Sequence, residues 1–163
     1  MRRLVFFLLA FGMVFPALAQ ETPYEDHAGY YRMIVPSELA IESGEGYAQL
    51  TAPSDAISVA LLAVEALTIE AGIEFGWALV EPNFALQPYS VRETRLIEGA
   101  DDGLTIIYDV TGHPRYDNSI VQAYGYQVGD LVYVWLFRGD ANIAYQRASD
   151  IQLIMGSFKI TAP

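Results

Sequence analysis

From Tyr30 onward the chain is a series of short apolar stretches separated by turn residues. "YYRMIV" and "YAQLTA" read as strands, the second following the Gly44-Glu45-Gly46 turn. "AISVALLAVEA" (Ala56 to Ala66) is a continuous apolar run. Such a run fits a buried strand, or a strand running into a helix, because its period is ambiguous. The period then changes. In "LTIEAGIEFGWALVEPNF", Thr68 is placed to cap a helix, Ile69, Ile73 and Trp77 recur on one helical face, and Pro82 ends the element. Gly72 and Gly76 weaken an isolated helix by about 1 kcal/mol each, so close packing must compensate. "YSVRETRLIE" and "GLTIIYDVT" read as strands joined through Gly99-Ala100-Asp101-Asp102. The pattern ends in "DANIAYQRASDIQLIMGSF", a single expected helix capped by Asp140, with Ile143, Ala144, Ala148, Ile151, Ile154, Met155 and Phe158 along its apolar stripe.

Between these lies "SIVQAYGYQVGDLVYVWLFRGD", a hairpin turning at Gly129-Asp130. A two-residue turn sets Val128 opposite Leu131, Tyr126 opposite Tyr133, Tyr124 opposite Trp135 and Gln122 opposite Phe137. The other face pairs Gly125 with Val134 and Ala123 with Leu136. Small residues against branched aliphatics make a surface that a helix can approach closely, and the C-terminal helix, joined by almost no loop, is its expected occupant. The opposite face is aromatic. It suits a core edge or a ligand platform, since each tyrosine or tryptophan joins an apolar body to a polar tip. The helix carrying Trp77 is expected to cover this face, leaving Tyr124, Tyr126, Tyr133 and Trp135 mainly core, open at one end as the candidate ligand-binding residues. Antiparallel strands with helices packed on the sheet faces make the fold class α+β.

The first nineteen residues stand apart. Arg2 and Arg3, the apolar run Leu4 to Phe15 and the small-x-small Ala17-Leu18-Ala19 form the three parts of a secretory signal peptide, cleaved after Ala19. Twelve helical residues rise only about 18 Å, too little for a hydrocarbon core of about 30 Å, so no stable membrane anchor is expected after cleavage. Residues 20–29 read as a flexible polar lead-in, and residues 30–163 as a single domain. The sequence has no cysteine. An exported chain without disulfides fits a bacterial periplasm or extracellular space. Losing Arg2 and Arg3 takes the formal charge from −11 to −13, with Lys159 the only lysine, which argues against nucleic acid and anionic membranes as partners.

The segments "SGEGYAQLTAP", "GWALVEPNF", "IVQAYGYQVGD" and "YQRASDIQLIMGSFK" together resemble a non-catalytic N-terminal region found in some exported serine hydrolases of the β-lactamase type. That region resembles a PsbP-like α-β-α sandwich, and the resemblance spans about Met33 to Lys159. Those hydrolases carry their nucleophile in a Ser-x-x-Lys motif of the following domain. Here Gly156 stands three before the only lysine, so the resemblance implies the fold without the activity.

No catalytic residue, metal site or cofactor is expected. The chain has no Gly-x-Ser-x-Gly elbow and no phosphate loop. Its two histidines, His27 and His113, fall in loops, and without cysteine they do not compose a zinc site. Asp101-Asp102-Gly103 reads as a turn, since the alternating acids of a calcium loop do not follow it. Glu93 and Asp109 lie on strands expected to pair, so a carboxylate-based hydrolase is the enzyme alternative. A cross-strand Arg92–Asp109 salt bridge is the favoured arrangement there, and Arg147 is expected to pair with a nearby acid. The function expected is a binding or accessory module of the cell envelope, recognising another envelope protein or a small apolar ligand. A small apolar-ligand carrier and a stand-alone remnant of a hydrolase N-terminal domain are the alternatives.

Overall fold

The computed structural model describes residues 21–82, 89–113 and 115–161; the expected leader and its cleavage site lie outside them. Among the described residues, ten strands and three α-helices follow one another. They are β1 Glu21–Glu25, β2 Tyr31–Pro36, β3 Ala40–Gly44, β4 Tyr47–Thr51, β5 Ile57–Glu65, α1 Ile69–Val80, β6 Tyr89–Thr94, β7 Asp102–Tyr108, β8 Ser119–Val128, β9 Leu131–Asp140, α2 Ala141–Gln146, α3 Ala148–Ser157 and β10 Lys159–Ile160. Seven strands form an antiparallel sheet in the order β3-β4-β5-β9-β8-β7-β6, and a small sheet runs β1-β2-β10. The fold is α+β, with helices on both faces of an antiparallel sheet.

The β8–β9 hairpin has the expected register, Val128 facing Leu131 and Tyr124 facing Trp135. A tight turn with Gly129 at φ 56° holds that register, because a positive φ costs glycine little. "AISVALLAVEA" resolves to strand alone. β5 lies inside the sheet between β4 and β9, and its side chains alternate between two buried layers, Val59 and Leu61 in one and Ala60 and Leu62 in the other, so its period disappears.

The faces of the hairpin are covered the opposite way from the sequence expectation. α1, with Ile69, Ile73 and Trp77, packs on the small face against Ala123, Val132, Val134 and Leu136. A Cβ at Gly72 would stand 2.8 Å from Val132 Cγ1, one at Gly76 3.1 Å from Leu136 Cδ1, and one at Gly125 2.1 Å from Ile69 Cγ2. Glycines on both partners thus let α1 descend onto this face, which the taller aromatic face would not allow. The aromatic face takes α2, α3 and the small sheet, with Tyr31, Met33, Val35, Ala144 and Ile154 packed against Tyr124, Tyr126, Tyr133, Trp135 and Phe137.

Three further differences have local causes. The final helix is two helices, broken at Arg147, whose φ of −102° and ψ of 22° leave the helical region. Asp140 caps the first as expected, its side chain accepting from the N–H groups of Asn142 and Ile143. The lead-in expected to be flexible holds β1, paired with β2 over its whole length. Its end is pinned by Asp26, only 3% exposed, whose carboxylate accepts from the N–H groups of Ala28 at 2.9 Å, Tyr30 at 3.4 Å and Gly46 at 3.0 Å. The edge strand β3 also escaped the sequence reading; its residues are almost all exposed, so it has no apolar alternation to find.

Candidate apolar groove beside α1

The four aromatic side chains expected to form a platform are interior. Tyr124 is 9% exposed, Tyr126 4%, Tyr133 1% and Trp135 5%. α3 and the small sheet close over them, and Phe158 meets Trp135 edge to face at 4.9 Å. The cavity beside them, lined by Tyr124, Trp135, Ile154 and Met155, measures only about 20 Å³. That is about the space of one water molecule. Neither an open platform nor a carrier's hollow is found there, because branched side chains of α3 fill the layer between helix and sheet.

The expected carboxylate pair is not brought together. Glu93 pairs with Thr105 across β6–β7, and Asp109 lies beyond the end of β7, four residues past Thr105. At about 3.3 Å per residue that separation is about 13 Å along the strand, too far for a dyad. Asp109 instead accepts from Thr111, and the bond from the Thr111 side chain, then that from its N–H, holds the carboxyl below the usual range. Arg92 pairs with Glu70 on α1, not with Asp109, because its register partner is Ile106. Arg147 does pair with acids, reaching Glu38 at 2.7 Å and Asp150 at 3.2 Å. His113 stacks on Tyr116 with ring centroids 4.7 Å apart, and its Nδ1 accepts from Arg115 N–H. Asp101 and Asp102 bind the N–H groups of Gly129 and Gly103 as turn residues do. No cluster of metal-ligating side chains occurs among the described residues.

Two surface hollows lie away from the outer face of α1. One of about 450 Å³ at the start of α1 is crossed by the Glu70–Arg92 pair. Another of about 540 Å³ lies on the small sheet, lined by Pro23, Tyr24, Met33 and Ile34 together with Arg32 and Lys159.

A third hollow has a different character. α1 carries two apolar faces: Ile73 and Trp77 point into the core, and Phe75, two residues from each, lies about 200° around the helix from them. Leu79 follows one turn later on the same side. Phe75 is 56% exposed and Leu79 55%. They wall a groove of about 350 Å³ with Tyr47, Leu62 and Val64 as its apolar floor; Glu45, Gly46, Ala63 and Glu65 also line it. The groove exists because α1 crosses β9, β8 and β5 and leaves β4 and β3 uncovered on this face. Its lip is braced. Gly46 N–H donates to buried Asp26, Gly46 C=O accepts from Ala63 N–H at 2.8 Å, and Tyr47 Oη donates to Gln49 at 2.6 Å, which in turn donates to Ser58. Burial, then the Glu42 carboxylate, raises the Tyr47 phenol above its ordinary range. The sequence signal for this site was present in Phe75 and Leu79, two large apolar residues off the stripe that Ile69, Ile73 and Trp77 account for.

No family model matches the chain, and no curated protein matches it by sequence. Solved structures do share its fold. The solution structure of cyanobacterial PsbP (CyanoP) from Synechocystis sp. PCC 6803 has a TM-score of 0.60 at 14% identity, covering 94% of this chain and 98% of that one. LpqN, involved in cell envelope biogenesis of Mycobacterium tuberculosis, has a TM-score of 0.52 at 12% identity, covering 88% of this chain and 91% of its own. The fold is therefore PsbP-like. Neither neighbour supplies the expected link to hydrolases of the β-lactamase type.

Proposed function

We propose that this chain is an exported, non-catalytic binding module of the bacterial cell envelope, and that it docks a protein partner in the groove beside α1. The observation that carries the reading is the pairing of Phe75 and Leu79, both more than half exposed, with a preformed apolar floor. Large apolar side chains scattered singly on a surface need no explanation, but a contiguous group beside a braced groove is the mark of a contact surface. The leader pattern supports export, and the likeness to LpqN agrees with a place in the envelope. The non-catalytic reading is supported by the separation of Glu93 from Asp109. A protein is favoured over a small apolar ligand because the groove is open and its interior alternative is filled.

The test is a photo-crosslinking residue placed at position 75 in the exporting cell, with position 98 in the exposed loop after β6 as control. A discrete protein adduct at 75, absent at 98 and lost when Leu79→Ser is added, is the expected result. Illumination that yields no adduct at 75 above the control overturns the docking reading. Turnover of an ester or β-lactam reporter that disappears with a single Ser→Ala change overturns the non-catalytic one.

A further inference from the structure

The charge around the groove identifies the kind of segment it takes. From Met33 to Val91 the chain contains no lysine, arginine or histidine, but eight aspartates and glutamates. β3, β4, β5 and α1 all come from this stretch, so every element that builds the groove is free of cationic side chains. Arginines from elsewhere reach only part of it. Arg147 pairs with Glu38, Arg92 with Glu70, and Arg115 and Arg138 both with Glu81. Among the described residues, Glu42, Glu45, Glu65 and Glu74 have no ion pair, and all four are exposed. Glu45 lines the groove, and Glu42, in register with Gln49, acts on the Tyr47 phenol of its floor. Glu65 lines it from the end of β5 with its side chain alternating to the other face, as that of Ala63 does, and Glu74 lies on the flank of α1 that faces Tyr108.

An apolar floor with carboxylates around it discriminates among occupants. A wholly apolar segment would desolvate the carboxylates without replacing their hydration, and an acidic one would meet like charge. Anionic lipid and nucleic acid are repelled for the same reason. A segment with apolar anchors flanked by lysine or arginine satisfies floor and rim together. We infer that the groove takes a basic amphipathic segment of a protein partner, with its apolar side chains between Phe75 and Leu79 on one side and Tyr47, Leu62 and Val64 on the other, and its cations on Glu42 and Glu45. The inference rests on the docking reading above.

Two fluorescently labelled model helices of equal apolar content, one built of leucine and lysine and one of leucine and glutamate, test it by anisotropy with the leader-free protein. The Leu/Lys helix is expected to bind saturably and to weaken with added salt, and the Leu/Glu helix to bind at least about tenfold more weakly. Glu42→Gln with Glu45→Gln should cost about tenfold and flatten the salt dependence, as two exposed pairs together would. Phe75→Ser with Leu79→Ser should abolish binding with the far-ultraviolet spectrum unchanged. Glu21→Gln with Glu98→Gln, away from the groove, should leave binding as it was. Equal binding of both helices, no saturable binding of the Leu/Lys helix, or an equal loss in the remote pair overturns the inference. So does a concentration-dependent dimer in sedimentation that Phe75→Ser dissociates, or cosedimentation with zwitterionic phosphatidylcholine vesicles that it abolishes. An adduct at position 75 whose contacting segment is acidic or neutral defeats this inference and leaves the docking reading standing; no adduct at all defeats the docking reading itself.

Discussion

Asp26 is a buried carboxylate with no cation paired to it among the described residues, and it is stable there because backbone N–H groups surround it. Hydrogen bonds to a charged group are each worth about 1.5–3 kcal/mol, and the Gly46 N–H it accepts would otherwise be buried without a partner. Asp26→Ala is therefore expected to cost about 2–3 kcal/mol, read as a lower urea midpoint at unchanged slope, while Asp26→Asn, which keeps an acceptor oxygen toward Gly46, should cost less. An Ala variant as stable as the parent would mean that the lead-in is not anchored in solution. Nothing in "QETPYEDHAG" distinguishes an aspartate that caps a turn from one that solvates a tail. The distinction lies in Gly46, twenty residues away in sequence, and so was not legible locally.

The packing of α1 sets two effects of opposite sign against each other. Replacing Gly72 by alanine raises helix propensity by about 1 kcal/mol. The new Cβ would stand 2.8 Å from Val132 Cγ1 and 3.0 Å from Val132 Cβ, on a branched side chain with no freedom to retreat. Overpacking of that kind costs about 1–3 kcal/mol, so Gly72→Ala is expected to be net destabilising and to be rescued by Val132→Ala. A double-mutant cycle in denaturant checks this, and a simple gain in stability from Gly72→Ala would show that α1 rides higher on the sheet. At this scale the sequence was informative where a local rule decides. Thr68 caps α1, accepting from Ala71 N–H, and Gly129-Asp130 sets the hairpin register, both as read. It was uninformative where two elements compete for one place. Gly72 and Gly76 announced a close approach but did not name the surface approached, and Gly125 acquires its meaning only opposite Ile69. β1 and β3 are mostly exposed edge strands with no alternation to reveal them. The groove was legible in its wall, Phe75 and Leu79, and hidden in its floor, which needs β4 and β5 brought beside α1.

The molecule as a whole encloses many tyrosines. Burial raises the phenols of Tyr31, Tyr108, Tyr124, Tyr126 and Tyr133 above their ordinary range, in each case as the largest cause. A phenol in the unfolded chain ionises near pH 10. With the folded-state values higher, the native protein holds more protons than the unfolded one above that pH, so stability falls as pH rises. The stabilising contribution is complete below about pH 10 and is lost progressively above it, and the chain's large negative charge adds repulsion in the same direction. Alkaline titration followed at the phenolate absorbance should show a late group of tyrosines ionising together with loss of near-ultraviolet ellipticity. If they ionise independently near pH 10 while the ellipticity persists, the aromatic layer is open to solvent.

The small sheet has a mechanical consequence. β1 and β10 flank β2 and both run antiparallel to it, so they are parallel to each other. Glu21 lies beside Pro36 at one end of β2, and Ile160 lies beside Tyr31 at the other. A tension drawn between residues 21 and 160 therefore acts along the strands and loads each ladder in shear, its hydrogen bonds sharing the force at once, where an unzipping geometry would break them singly. The weaker arm is β10, with two register pairs reinforced by Thr161, whose N–H donates to Tyr30 C=O and whose hydroxyl donates to Gly29 C=O. Under such a pull β10 yields first, and β1, with five pairs to β2 and its turn secured at Asp26, still bears load.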